Sequence, residues 1–93
     1  MHPLYRVTIV CRGVAEHLAE IAASDIQMNF TMHRRHHQNV SCSFANGKLT
    51  LVAENDFDED GIALQDEFSD CISAFLSETP EGSDLIVKSI ERI

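Results

Sequence analysis

The sequence predicts an α+β domain: an antiparallel sheet with two helices packed on one of its faces. Three observations predict it. Asn46-Gly47 sits between two runs of alternating polarity, and a two-residue turn of this kind is a strong hairpin signal because both positions need positive φ. Two stretches carry apolar residues at helical spacing, one on each side of that hairpin. Short alternating runs open and close the chain.

The first run is Leu4 to Cys11, where Tyr5, Val7, Ile9 and Cys11 alternate with Arg6, Thr8 and Val10. That period of two is the mark of a half-buried strand. Gly13 breaks it. Val14, Leu18, Ile21 and Ala22 then recur at i, i+4, i+7 and i+8, the apolar stripe of a surface helix. Residues 24–38 carry two signals. Ile26, Met28, Phe30 and Met32 alternate with polar residues and predict an extra strand near residues 26–33, running into a loop at Arg34-Arg35-His36-His37. Ile26 and Phe30 are also four apart, which fits a helix that continues.

In the hairpin, pairing outward from the turn sets Ala45 against Lys48, Phe44 against Leu49, Cys42 against Leu51 and Val40 against Ala53. Slipping by one residue would put serines opposite leucines, so pattern and turn specify one register. A second helix follows from Leu64, Phe68, Cys71, Ile72 and Phe75, at i, i+4, i+7, i+8 and i+11. Acidic residues crowd its start, where the helix dipole favours them. Thr79-Pro80-Glu81-Gly82 supplies the stop. Leu85 to Ile93 reads as the closing strand. The order β-α-β-β-α-β is that of the ferredoxin-like split βαβ arrangement. Its inner sheet face would take Val7, Ile9, Val40, Cys42, Phe44, Leu49 and Leu51.

Ninety-three residues read as a single α+β domain, 1–93. Such a chain buries only about 60–70% of its unfolded surface, enough for one core. The three cysteines are widely spaced, odd in number and on apolar positions. They read as reduced, buried thiols rather than a disulfide frame or a zinc ribbon. With no apolar run of membrane-spanning length and no basic leader before an apolar block, the cytoplasm is the simplest location.

Net charge at neutral pH is −8 and is unevenly placed. Residues 1–45 hold four arginines against three carboxylates, whereas residues 46–93 hold three cations against twelve carboxylates. Nucleic-acid binding needs clustered Lys and Arg, so nucleic acid and anionic membrane are excluded as general partners.

The chemistry-bearing motif is Asp56-Phe57-Asp58-Glu59-Asp60-Gly61 with Glu67 beyond it. It matches the calcium-loop pattern D-x-[DN]-x-[DN]-G-x5-E, with Asp56, Asp58, Asp60 and Glu67 as the metal ligands. Against it stand Ala63 at the eighth position, Leu64 at the ninth, and a strand rather than a helix before the loop. The same residues also read as a helix start, with Asp56 or Asp58 capping backbone N–H groups, a contribution of about 0.5–2 kcal/mol. His33, His36 and His37 could set two imidazoles on one helical face with Cys42 nearby, but Arg34 and Arg35 disfavour a cation there. A solvated loop is the simpler reading.

Cys11 precedes a helix but lacks the glycines of a phosphate cradle, and no nucleophile can be assigned; no catalytic or cofactor-binding residue is put forward. The outer sheet face (Arg6, Thr8, Val10, Ser41, Ser43, Ala45, Thr50 and Val52) is small and mildly apolar. The leading expectation is therefore a non-enzymatic interaction module that forms a homodimer through that face. The alternative is a Ca2+-binding module built on residues 56–67.

Overall fold

A computed structural model describes residues 4–14, 16–75 and 84–93. The element order is β1 (Tyr5–Arg12), α1 (Glu16–His33), β2 (Gln38–Ala45), β3 (Lys48–Asn55), α2 (Ile62–Phe75) and β4 (Asp84–Arg92). The four strands form one open antiparallel sheet in the order β2-β3-β1-β4. The class is α+β.

The hairpin follows its local code. Asn46 and Gly47 both take positive φ, 53° and 74°, as a primed two-residue turn demands. Ala45 pairs with Lys48, Phe44 with Leu49 and Cys42 with Leu51. The register then shifts between Gln38 and Ser41, with Gln38 opposite Glu54. An extra residue is accommodated there, and Asn39 takes φ 49°, so the expected Val40–Ala53 pair gives way to a bulge. Val40 still packs against the core. A second irregularity, between Thr8 and Ile9, skips Lys88 of β4.

The extra strand expected near residues 26–33 does not form; α1 continues without interruption to His33. No Gly or Pro breaks this stretch. The residues that reach the core are Ala19, Ala22, Ala23, Ile26 and Phe30, spaced i, i+3, i+4, i+7 and i+11. The alternation that suggested a strand arises because Met28 and Met32 lie on the outer side, 58% and 56% exposed. Ile21, placed in the stripe by the sequence reading, is 70% exposed. An 18-residue helix is about 27 Å long. An eight-residue strand spans about the same, so α1 crosses the sheet from end to end before β2 begins.

Val7, Ile9 and Cys11 of β1 share one core with Cys42 of β2 and with Leu49, Leu51 and Ala53 of β3. Onto that face pack the α1 stripe and Leu64, Phe68, Cys71 and Ile72 of α2. Phe44 and Val87 pack against it from partly buried positions. All three cysteines are buried thiols. Burial, helped by the nearby Cys71 sulfur, pushes the Cys42 thiol up to about 12. At the sheet edge, the Cys42 amide donates to Oε1 of Gln27 on α1 at 3.1 Å, which occupies a group that would otherwise invite strand addition. The helix stop expected at residues 79–82 lies outside the described residues. Among the described residues no helix is long and apolar enough to cross a membrane.

Candidate functional site: the open sheet face and the His36–His37–Glu67 cluster

The loop from Asn55 to Gly61 is built as a cap for α2. Asn55 Oδ1 accepts from the amides of Phe57 at 3.2 Å and Asp58 at 2.7 Å. Asp58 is buried, and its carboxylate accepts from the amides of Ala63 at 3.1 Å and Leu64 at 3.0 Å. Asp60 accepts from the Ile62 amide at 3.1 Å. These are the first amides of the helix, which have no partner inside it. Asp56 is exposed at the bend. Gly61, with φ 77°, backs onto the core: a Cβ there would lie 2.9 Å from Val87 Cγ1 and 3.2 Å from Val7 Cγ1.

The four carboxylates read as calcium ligands are therefore not brought together. Asp58 and Asp60 face helix amides, and Glu67 turns to a different set of partners. Its Oε1 lies 3.3 Å from Arg34 Nη1 and 2.9 Å from His36 Nε2. Its Oε2 meets His37 Nε2. Among the described residues, the group of three potential ligand side chains within mutual reach is His36, His37 and Glu67, with ligand atoms all within 4.8 Å of one another.

The cluster is assembled from two elements, with His36 and His37 on the turn after α1 and Glu67 on α2. A tight turn follows α1, closed by hydrogen bonds from the Arg34 amide to the Phe30 carbonyl and from the His37 amide to the Arg34 carbonyl, both 3.1 Å. It presents His36 and His37 side by side, with ring centroids 4.2 Å apart. The His37 side chain is fully buried, walled by Phe30 and Phe57 at 5.7 and 6.0 Å between centroids. Its Nδ1 lies 3.2 Å from Asn55 Nδ2. Because Asn55 Oδ1 already serves two backbone amides, the Asn55 amide nitrogen is the donor and His37 Nδ1 the acceptor. The imidazole hydrogen is thereby placed on Nε2, which donates to Glu67. Arg34 is fixed from behind by Asn29 Oδ1 at 3.2 Å and by the Phe30 ring, 5.4 Å from its guanidinium carbon. Partial burial opposes the charge on Glu67, but its bonds to His37 and the adjacent imidazoles outweigh this and hold the carboxyl below its ordinary value.

Among the described residues, no helix packs on the other face of the sheet. Thr8, Val10, Thr50, Val52 and Ile86 line its middle. Val10 is 7% exposed because its cross-strand neighbours Thr50 and Ile86 flank it. At one end Val10, Thr50 and Ile86, with Arg12, Lys48 and Lys88, line a groove of about 350 Å3. At the other end Arg6 bridges Glu54 at 3.1 Å and Glu91 at 3.7 Å. Asn39 donates to Glu54 at 2.8 Å. That bond, aided by Arg6, outweighs the effect of burial and holds the Glu54 carboxyl low.

Sequence reasoning found Glu67 but assigned it other company. His36 and His37 were visible as a pair; their partner lies about thirty residues away, on a helix whose docking only the core determines. No protein-family model, curated protein or solved structure matches this chain.

Proposed function

We propose that this chain is a small, non-enzymatic interaction domain that associates with a second copy of itself through the open face of its sheet. One observation carries the reading. Both helices share the core on one side of the sheet, which leaves a face of small and mildly apolar side chains centred on Val10, Thr50, Val52 and Ile86. The arrangement is read as ferredoxin-like: α1 links β1 to β2 around β3, and α2 links β3 to β4 around β1. In such a single-layered sheet the second face is the natural contact surface. Charge supports a two-fold pairing. Arg12, Lys48 and Lys88 gather at one end of the face, and Glu91 is exposed at the other, so antiparallel stacking brings unlike ends together.

Size sets the strength. Four strands of about 27 Å at a spacing near 4.8 Å offer roughly 500 Å2 per copy. A face-to-face pair then buries about 1,000 Å2, the lower limit for a specific interface. The dimer is accordingly a weak, reversible one. Sedimentation equilibrium tests it: the chain dimerises at high micromolar concentration, and the Val52→Lys/Ile86→Lys double variant stays monomeric with an unchanged far-UV spectrum. A parent chain that remains monomeric throughout that range refutes the proposal.

A further inference from the structure

We propose that His36, His37 and Glu67 form a binding site for one divalent transition-metal ion of the zinc class, with a fourth position open to water. The donors are two imidazole nitrogens and one carboxylate oxygen. That set suits zinc and cobalt, whereas calcium takes oxygen ligands alone. Ligand atoms about 2.0–2.2 Å from a tetrahedral ion lie roughly 3.4 Å from each other. The three here are already within 4.8 Å of one another, so small side-chain rotations close the shell. The side chain of His36 is 49% exposed, which leaves a route for the ion and a water-facing side for the fourth ligand.

The surroundings are those of a ligating shell. His37 is immobilised between Phe30 and Phe57. Arg34 approaches Oε1 of Glu67 while His37 approaches Oε2, so one oxygen can ligate while the other keeps its hydrogen bond, as ligating carboxylates commonly do. Asn29 and the Phe30 ring hold the guanidinium in that position. The Arg34 charge, which the sequence pattern sets against a cation, is paired with Oε1 of Glu67. The site shares no residue with the open sheet face and stands or falls independently of it.

Asn55 makes the proposal specific. A metal on His37 Nε2 displaces the hydrogen from that atom to Nδ1, which now faces the Asn55 amide nitrogen. Two donors cannot face each other in a buried position. Loading therefore turns the Asn55 side chain so that its oxygen accepts from His37, and the amides of Phe57 and Asp58 lose that oxygen. Binding is coupled to the turn that leads into α2. An aspartate at this position removes the conflict, because one oxygen serves His37 and the other the backbone amides, the carboxylate–histidine–metal arrangement that strengthens such sites.

The experiment titrates the full chain with Zn2+ by calorimetry and with Co2+ by visible absorption, with Ca2+ as a control. The expected result is one Zn2+ or Co2+ per chain at micromolar affinity or tighter, no sulfur-to-cobalt charge-transfer band, and no response to Ca2+. His36→Ala and the isosteric Glu67→Gln each weaken binding by about tenfold or more, and Asn55→Asp tightens it by about tenfold. In amide NMR, the Phe57 and Asp58 signals shift on loading of the parent chain. Absence of binding at millimolar Zn2+, or equal affinity in the parent, His36→Ala and Glu67→Gln, overturns the site. Weaker binding by folded Asn55→Asp overturns the role given to Asn55.

Discussion

Gly61 and Gly47 allow a backbone effect to be separated from a packing effect. Both take positive φ, 77° and 74°. Alanine in that region costs roughly 1–2 kcal/mol at either site, offset by about 0.4–1 kcal/mol from the stiffer unfolded chain. At Gly47 nothing lies within 4 Å of an added Cβ, so Gly47→Ala costs about 1 kcal/mol in all. At Gly61 the methyl would sit 2.9 Å from Val87 Cγ1, 3.2 Å from Val7 Cγ1 and 3.3 Å from Val87 Cγ2. Neither valine can move freely, since Val7 is fully buried in β1 and Val87 packs against the same core. Overpacking of this kind adds about 1–3 kcal/mol. Gly61→Ala should therefore cost about 2–4 kcal/mol, and the difference between the variants is the steric part alone. Urea denaturation of both variants beside the parent measures it, with a matching Tm gap of roughly 4–8 °C per kcal/mol for a domain of this size. Equal costs at the two positions would refute the claim that Gly61 is there for close packing of the α2 entry against the sheet.

Two further outcomes follow from burial. Ile26→Ala should cost about 2–5 kcal/mol because the side chain is fully buried. Ile21→Ala, on the exposed side of α1, should stay within about 0.5 kcal/mol, and thermal melts that reverse this order would reject the helix face described for α1. The pH dependence has two limbs. Cys42 is raised from an ordinary 9.0 to about 12, so the stability it contributes is complete below pH 9 and lost as pH rises towards 12. The folded chain should resist thiol alkylation at Cys42 at pH 8, as read by mass spectrometry. Glu67 and Glu54 are held below the ordinary 4.5, so their contribution is present above that value and lost as pH falls through their lowered values. Glu67→Gln should flatten the acid limb of a melting-temperature profile without moving the alkaline one.

Signals that reside in a few neighbouring residues were readable without coordinates. Asn46-Gly47 specified the turn and most of the hairpin register because positive φ and strand alternation are local demands. The Leu64-Phe68-Cys71-Ile72 stripe placed α2, and Val7-Ile9-Cys11 placed the inner face of β1. A helix cap at Asp56 or Asp58 was legible for the same reason, and the structure uses Asp58. Residues 26–33 were not settled locally, since Ile26, Met28, Phe30 and Met32 satisfy periods of two and 3.6 alike. The core chose between them by burying Ile26 and Phe30 while leaving both methionines outside. The bulge at Asn39 was equally hidden, because nothing in the hairpin's own pattern requires it.

The same division holds at the candidate site. Five points of a calcium-loop pattern lay in one stretch of chain, yet a pattern records spacing along the chain and not direction in space. Asp58 and Asp60 face the amides of α2, and packing of α2 beside the end of α1 carries Glu67 to Arg34, His36 and His37. That meeting joins residues about thirty apart, and it is the shared core of Phe30, Leu64 and Phe68 that brings the two segments within reach of each other. Contacts of that range exist only once the layers have docked, so composition and periodicity could name the elements but not the neighbours each would acquire.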